Sequence, residues 1–371
     1  SDVCSSDLEP LANAVPCCPG CRDYLTMVSC EEGLLCILGN PLLDITASTG
    51  KEFLDKYGLR PNNAILATEE HLPMYKELEK DYRAEYFPGG SALNTATIAQ
   101  YILKDRFVIT YLGAVGDDSY SEILQSKATE AGVNVRFQKH KNVATGTCAV
   151  VITEKGKCRS LCANLAAANL FSKDHLDSPD NTLLIEKAKY FYISGFFLTV
   201  SPNSIMHIAN HAKENGKHLF MNLSAEFITT VFKDPMMEVF PYVDYLFGND
   251  AEARSFALAN NLKEASVQEI AKAIAALNYK KSGQRTVVIT QGPDPVIVVQ
   301  GGAVKEFPVE VLTNDAIVDT NGAGDAFLGG FLSQFVMNKP LESCIKCGIW
   351  AATKVIQQSG CVMPSGCVFE L

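Results

Sequence analysis

The chain has 371 residues, with 47% hydrophobic and 20% charged residues, a balance typical of a globular protein with one large domain or two smaller ones. Its formal net charge of −10 argues against nucleic acid and anionic membranes as partners, because both need a basic face. No apolar run reaches the roughly 18 residues of a membrane helix, so we expect no membrane span.

The first thirty residues differ in character from the rest. Five of the thirteen cysteines lie in Ser1–Cys30, which lacks both a periodic pattern and the charged start and apolar core of a signal peptide. We expect a tail that is disordered or extraneous to the fold. Without a secretory route, we also expect reduced thiols in the cytoplasm, with the nucleus as a second compartment. The pairs Cys18–Cys21 and Cys344–Cys347 lack the spacing of a zinc site.

From Leu34 onwards, short apolar runs alternate with helical patterns. The predicted strands are Leu34–Leu38, Phe107–Leu112, Tyr190–Ile193, His218–Met221, Tyr245–Phe247 and Thr286–Ile289. The predicted helices are Ala92–Leu103, Ser121–Ala131, Pro202–Glu214, Ala251–Ala259, Ser266–Leu277 and Ala323–Val336. This alternation predicts βαβ units, and therefore an α/β domain whose central, mostly parallel sheet has helices on both faces.

Two stretches, Asp44–Leu66 and Asn142–Leu165, contain no long helix, and the second includes the β-forming run Cys148–Thr153. We predict that they meet in a small sheet beside the main one, as a lid over a binding site. The expected lid domain comprises residues 45–66 and 142–165. The expected large domain comprises residues 31–44, 67–141 and 166–371.

The strongest chemical signal is the run Val318–Phe327, which opens a helix with Gly322, Ala323, Gly324 and Asp325. Glycines allow a ligand to approach the backbone closely. N–H groups at a helix N-terminus bind anions such as phosphate. Asp325 in the first turn could then accept a proton from a hydroxyl. The alternative is a plain helix cap, since an aspartate stabilises a first turn in any case.

Two further motifs suit a ligand with hydroxyl groups. Gly89 and Gly90 precede a helix that carries Ser91 and Asn94, although Ser91 could simply be its N-cap. The run Gly39–Asp44 follows the first strand, where Asn40 and the Asp44 carboxylate could bind two vicinal hydroxyls. An Asx-turn that ends a strand is an equally good interpretation of Asp44.

A fourth motif joins a strand end to a helix. Asn249 and Glu252 are three residues apart, so they share one helix face and could hold a magnesium-bound water and a phosphate. A capping box between the same two residues is equally sound, and both interpretations can hold together.

Together, in this order along the chain, the four motifs resemble the ribokinase (PfkB) family of carbohydrate kinases. Asp319–Asp325 matches its C-terminal signature, Gly89–Asn94 its N-terminal signature, and Asn249 with Glu252 its magnesium motif. Three stretches resemble the branch of the family that acts on adenosine rather than on sugars: Arg159–Asn169, Gly195–Pro202 and Asn222–Ala225. The likeness runs from about Glu31 to Cys361.

The resemblance implies a ribokinase-like three-layer α/β/α fold with a small β-sheet lid. It also implies a monomer that uses ATP and Mg²⁺ to phosphorylate the ribose 5′-hydroxyl of adenosine. For catalysis it implies the base Asp325, the anion hole Gly322, Ala323 and Gly324, and the lid cation Arg159. For the nucleoside it implies Asn40, Asp44, Leu66, Gly89, Gly90, Ser91, Asn94, Leu161, Ala163, Leu165, Phe196 and Phe227. For ATP it implies Asn222, Asn249, Glu252, Thr290, Gly292 and Asn321, with Asn249 and Glu252 toward the metal.

Two residues depart from the family pattern. Glu226 stands where the family usually has proline, which puts the placement of Phe227 in question, and Ala64 stands where a polar residue is common. The alternatives are a kinase for a sugar, inosine or guanosine, and a nucleoside-binding protein without catalysis. A dehydrogenase is disfavoured, because no G-x-G-x-x-G motif follows the first strand.

The tail interpretation predicts that residues 1–30 are dispensable. A chain that starts at Glu31 should melt close to the full-length protein and keep its activity. A large loss in either measurement would show that the tail packs on the fold.

Overall fold

A computed structural model of the chain describes residues 30–154, 158–262 and 266–370. Apart from Cys30, the predicted tail with its Cys18–Cys21 pair lies outside these residues. The chain has an α/β fold with a large, mostly parallel sheet and a second, smaller sheet, as the resemblance implies. Within the described ranges, no helix has the length and apolar character needed to cross a membrane.

Fourteen strands are present in these ranges. They are β1 (Leu35–Leu38), β2 (Leu42–Ser48), β3 (Ala64–Leu66), β4 (Glu85–Gly89), β5 (Ile109–Gly116), β6 (Asn134–His140), β7 (Thr147–Thr153), β8 (Cys158–Asn164), β9 (Tyr190–Ile193), β10 (His218–Asn222), β11 (Tyr245–Asn249), β12 (Thr286–Gln291), β13 (Asp294–Gln300) and β14 (Ala303–Phe307).

Thirteen α-helices accompany these strands in the described ranges. They are α1 (Lys51–Lys56), α2 (Leu72–Asp81), α3 (Ser91–Leu103), α4 (Ser119–Glu130), α5 (Lys173–Leu176), α6 (Pro179–Lys187), α7 (Pro202–Glu214), α8 (Glu226–Val231), α9 (Lys233–Val239), α10 (Asp250–Ala259), α11 (Val267–Ala276), α12 (Ala323–Val336) and α13 (Leu341–Val355). The six predicted strands and six predicted helices are thus confirmed to within a few residues at their ends.

The large sheet has the strand order β14-β13-β12-β11-β10-β9-β1-β5-β6. Its strands are parallel from β12 to β6, and β13 and β14 form an antiparallel edge. The order reverses at β1, which lies between β5 and β9. In open α/β sheets, ligands bind outside the carboxyl ends of the strands at such a reversal.

The small sheet has the order β3-β8-β7-β2-β4. One of its faces packs on α1 and α2 through a core that includes Ile45, Phe53, Tyr75 and Cys162. This sheet is larger than the predicted lid of residues 45–66 and 142–165. β2 begins at Leu42, and α2 and β4 lie within residues 67–141, which we expect in the large domain, although β4 joins the small sheet.

Arg285, at the entry to β12, is fully buried and holds several chain segments together. Its guanidinium donates hydrogen bonds of 2.6–3.4 Å to the carbonyls of Phe240, Val243, Ile274, Leu277 and Asn278. It also lies 3.8 Å from the centre of the Phe240 ring. Burial lowers its pKa to about 10, so the group is still charged at neutral pH.

We predict that Arg285→Leu lowers the free energy of unfolding by at least about 3 kcal/mol, because a hydrogen bond from a charged group contributes roughly 1.5–3 kcal/mol. Denaturant unfolding should show this loss. The exposed Arg60→Leu control should stay within about 0.5 kcal/mol of the parent. Equal stability of the two variants would contradict the structural role of Arg285.

Candidate active site

A cavity of about 610 Å³ lies at the carboxyl ends of the large sheet's strands and is roofed by the small sheet. Side chains that follow or end these strands reach it, among them Asn40 after β1, Asn222 in β10, Asn249 in β11 and Thr290 in β12. The cavity therefore occupies the place that the strand order indicates.

The structure brings nearly all of the predicted site residues to this one cavity. Its lining includes Asn40, Asp44, Leu66, Gly90, Ser91, Asn94, Arg159, Leu161, Ala163, Leu165, Phe196, Asn222, Phe227, Asn249, Glu252, Thr290, Gly292, Asn321, Gly322, Ala323, Gly324 and Asp325. Gly89 is the exception, since it lies behind Asp44 and does not reach the lining.

Asp325 lies in the first turn of α12, where the N-terminus of that helix meets the N-terminus of α3. Its carboxylate accepts hydrogen bonds from Ser91 Oγ (2.7 Å) and Asn94 Nδ2 (3.0 Å). Burial raises the pKa of this carboxyl to about 6, against the lowering effect of these two donors and of Arg159. At neutral pH it is therefore an ionised carboxylate with free lone pairs, which is what a general base needs.

Gly322 precedes Asp325 and caps α12 with φ of +73°. Gly324 faces open space: apart from its chain neighbours and the backbone of its own helix, no described atom lies within 4 Å of where a Cβ would be. The space over this helix N-terminus is thus free for a ligand, and its N–H groups and dipole favour an anionic one.

Asp44 and Asn40 are a second pair of polar side chains in the cavity, and they have hydrogen-bonding atoms that the chain does not fully use. The buried Asn40 Oδ1 has no partner, while Asn40 Nδ2 donates to the Phe196 carbonyl (3.3 Å). Burial, and then the charges of Asp325 and Asp319, raise the pKa of Asp44 to about 8. Buried polar atoms without a partner are costly, so these two side chains are poised to bind a ligand's hydroxyl groups.

Gly89 and Gly90 allow the chain to pack closely against Asp44 and Asn40, whether or not a ligand is bound. A Cβ at Gly89 would lie 2.2 Å from the Asp44 carboxyl group, and one at Gly90 would lie 2.1 Å from the Asn40 carbonyl oxygen. Gly90 also has φ of +90°. Only glycine therefore allows strand β4 and helix α3 to lie this close to Asn40 and Asp44.

Two of the alternative interpretations are wrong. Asp44 does not form an Asx-turn at the end of a strand, because it lies inside β2, paired with Phe87 and Cys148. Ser91 is not the N-cap of α3, because Gly90 holds that position and the Ser91 hydroxyl bonds Asp325 instead. In both cases a contact with a distant part of the chain replaces the local one.

An apolar slot lies beside this polar group, built by the period-two alternation of the small sheet. On β8, Arg159, Leu161 and Ala163 face the cavity, while the buried Ser160 and Cys162 face the opposite side. The rings of Phe196 and Phe227 close the slot, with centroids 6.1 Å apart. Phe227 thus reaches the cavity even though Glu226 replaces the proline that is usual in the family. Ala64 also lines the cavity, but it offers no polar side chain there.

Asn249 and Glu252 form a capping box at the start of α10. Glu252 accepts from Asn249 N (3.0 Å) and Asn249 Nδ2 (2.8 Å), and Asn249 Oδ1 accepts from Glu252 N (2.8 Å). Burial raises the pKa of Glu252 to about 7. Each carboxylate oxygen keeps a further lone pair, so the cap leaves room for a hydrated cation. Among the described residues, no three Asp, Glu, His or Cys side chains form a metal-binding cluster.

Charge is unevenly distributed over the cavity wall. Arg159 is the only lysine or arginine among the described residues that line it, and it donates from Nε to the Thr320 carbonyl (3.4 Å). The carboxyl groups in the lining are Asp44, Glu252, Glu310 and Asp325. A polyphosphate bound here would meet one guanidinium, a helix N-terminus and several acids.

Comparison with known proteins agrees with this geometry. The pfkB family carbohydrate kinase pattern matches residues 51–365. The chain belongs to the pfkB family of carbohydrate kinases. It is 48% identical over 335 residues to adenosine kinase 2 of Arabidopsis thaliana, a match that covers 90% of this chain and 96% of that protein. It is 40% identical over 336 residues to the adenosine kinase of Dictyostelium discoideum, covering 90% and 96%.

Solved structures of adenosine kinases share the fold of this pfkB-family kinase. That of Anopheles gambiae, in complex with P1,P4-di(adenosine-5) tetraphosphate, superposes with a TM-score of 0.88 at 49% identity, covering 90% of this chain and 99% of that one. That of Schistosoma mansoni, in complex with 2-fluoroadenosine, gives 0.87 at 33% identity, covering 91% and 98%.

Sequence reasoning missed a second apolar part of the cavity of this pfkB-family kinase. Its lining includes Val296, Val309, Val311, Leu312, Ile317, Ile349, Ala352 and Ile356. These residues come from β13, from the loop before α12, and from α13 and its C-cap Ile356. They are ordinary apolar residues without a motif, so only the folded chain shows that they meet.

We predict that Asp44→Asn stabilises the ligand-free kinase, by a margin that grows as the pH rises. The folded state keeps this carboxyl protonated up to about pH 8, whereas an unfolded chain releases the proton near about pH 4. The folded state therefore loses stability as the pH rises through this window, and the amide removes that loss. Melting temperatures between about pH 5 and pH 9 would measure the effect.

The exposed Asp55→Asn variant is the matched control and should follow the parent at every pH. A difference between Asp44→Asn and the parent that stays constant with pH would contradict the raised pKa of Asp44.

Proposed function

We propose that the chain is an adenosine kinase, which transfers the γ-phosphate of ATP to the 5′-hydroxyl of the ribose of adenosine. One observation carries the proposal: the same cavity holds an apolar slot, then the pair Asn40 and Asp44, then the buried Asp325 carboxylate at a helix N-terminus. A purine, a ribose and a phosphate have this same order of chemical character. The adenosine kinases that match over 90% of the chain support it.

In this proposal the adenine of the nucleoside lies against the rings of Phe196 and Phe227 and against the apolar residues of β3 and β8. Flat aromatic and aliphatic walls suit a purine. The ribose hydroxyls bind Asp44 and the unpartnered Asn40 Oδ1. The adenine of ATP occupies the second apolar part of the cavity, between β13 and α13.

Catalysis then depends on Asp325. Ser91 and Asn94 orient its carboxylate, which accepts the proton of the 5′-hydroxyl as that oxygen attacks the γ-phosphorus. The N–H groups of Gly322, Ala323 and Gly324 stabilise the negative charge of the transferred phosphoryl group, and Arg159 adds a positive charge from the small sheet.

We further propose that ATP binds with Mg²⁺. The acidic cavity offers one guanidinium, so a triphosphate needs a counter-cation of its own. Glu252 and Asn249 would hold the hydrated ion, which neutralises charge on the phosphates when bound. We also propose a monomer, as the resemblance to the family implies. Apart from Cys158, the described cysteines are free thiols, which suits the cytoplasm.

The direct test is an ADP-release assay with adenosine, inosine, guanosine and ribose as acceptors. We expect adenosine to be the preferred acceptor. A preference for ribose or for another nucleoside would point to a different substrate. The proposal would be overturned if none of the four acceptors led to ADP release.

We predict that Asp325→Asn lowers kcat by roughly 10²–10⁴, the usual contribution of a positioned general base. Adenosine and ATP should still bind, because the amide preserves the shape of the side chain. Calorimetric binding and the same assay measure both quantities. The exposed Asp315→Asn variant is the control. Turnover by Asp325→Asn near the parent's rate would remove this residue from the mechanism.

A further inference from the structure

The turn Ile356–Cys361, which follows α13, touches the anion-hole loop but lies outside every motif of the sequence. The backbone N–H groups of Val318 and Asp319 donate to the Ile356 carbonyl, at 2.9 and 3.2 Å. We define the anion-hole loop as Val318–Gly322, the segment that leads directly into α12. Its first two residues are therefore joined to the turn by backbone hydrogen bonds.

Asp319 makes a second connection to the same turn. This carboxylate is 1% exposed; its Oδ1 accepts from Asn321 N (2.7 Å) and its Oδ2 accepts from Gly360 N (3.2 Å). One side chain thus fixes the backbone just before the anion hole and the backbone of the turn at once. Hydrogen bonds between N–H groups and a buried carboxylate are among the stronger ones in proteins.

The last residue of the turn, Cys361, is in tight steric contact with the anion-hole loop. Cys361 is buried against Gly322, where an added Cβ would lie 2.5 Å from both Cβ and Sγ of the cysteine. Gly322 also needs its positive φ of +73° to start α12. The conformation of the anion hole therefore depends on where Cys361 lies.

The opposite side of the turn meets strand β4 of the small sheet. A Cβ at Gly360 would lie 2.9–3.1 Å from ring atoms of Phe87, so the turn lies directly on that ring. Next to it, Ser359 Oγ donates to Glu85 (3.2 Å). Phe87 is paired in the sheet with Asp44. The strand that touches the turn is thus the neighbour of the strand that carries Asp44.

We infer that the turn Ile356–Cys361 is a positioning element for the anion hole, which couples the occupancy of the Asp44 site to phosphate binding at Gly322–Gly324. A nucleoside that binds Asp44 restrains β2 and the adjoining β4. Phe87 and Glu85 then restrain the turn, and the turn restrains the anion-hole loop through Asp319 and Cys361. Neither Phe87, Ser359 nor Gly360 lines the cavity, so each acts through other residues.

The inference rests on the proposed function, because it takes adenosine as the ligand of Asp44. It requires that adenosine tighten the binding of an ATP analogue and, by thermodynamic reciprocity, that the analogue tighten the binding of adenosine to the same extent. We expect a factor of at least about five in the parent, the lower end of typical couplings between sites.

The test measures the Kd of AMP-PNP by calorimetry, with and without saturating adenosine, and the reverse titration, in the parent and in variants. Phe87→Ala should bring the coupling factor close to one, while the Kd of each ligand alone stays within about twofold of the parent value. Ser359→Ala should lower the factor by roughly two- to fivefold, because it removes the hydrogen bond that joins the turn to Glu85. Tyr86→Ala, at the exposed neighbour of Phe87 on β4, is the matched control and should keep the full factor.

Loss of the factor in Phe87→Ala and its decrease in Ser359→Ala, with Tyr86→Ala unchanged, support the inference. An unchanged factor in both variants, or a parent without coupling, overturns it. If Phe87→Ala does not fold, Ser359→Ala and Glu85→Ala decide, because each removes the hydrogen bond between the turn and β4 and both residues lie at the surface. A parent that does not bind adenosine at all would instead refute the proposed function, so the two failures are distinguishable.

Discussion

The meeting of two helix N-termini at Asp325 is the contact on which the rest of this structure depends. Ser91 and Asn94 lie more than 200 residues before Asp325 in the chain, yet both donate to its carboxylate. The approach is possible because Gly329 on α12 faces α3, where a Cβ would lie 2.8 Å from Ile98 and 3.0 Å from the Thr95 carbonyl oxygen. Close packing of α3 on α12 thus places both helix N-termini at the end of the cavity.

The same packing brings three acidic side chains into one buried cavity. Asp44, Asp325 and Glu252 all have raised pKa values because burial disfavours their ionised forms. An empty cavity of this kind costs stability, which is common at sites whose polar groups await a ligand. In the proposed function, ribose hydroxyls and ATP with its Mg²⁺ supply further partners to these carboxyl groups.

The sequence predicted much of this arrangement because its strongest signals are local. Glycine runs at helix starts, apolar strands and capping patterns depend on neighbouring residues. They indicated the six central strands and the polar cavity residues Asp44, Asn94, Asn249, Glu252 and Asp325. Others, such as Asn222 and Thr290, were implied only by the family resemblance. What the sequence missed depends on distant contacts. The assignment of β4 to the small sheet, the hydrogen bond of Ser91 to Asp325 and the apolar part around Ile317 and Ile349 all arise from pairings that no short window contains.

The alternation along β8 has a consequence for how this chain tolerates change in length. Arg159, Leu161 and Ala163 face the cavity, and Ser160 and Cys162 face the helices behind the sheet. Because the period of a strand is two, a register slip of one residue exchanges the two faces completely. The insertion or deletion of one codon in this strand would therefore turn the cation and the apolar wall toward α1 and α2. Divergence in length within this sheet should therefore concentrate outside its strands.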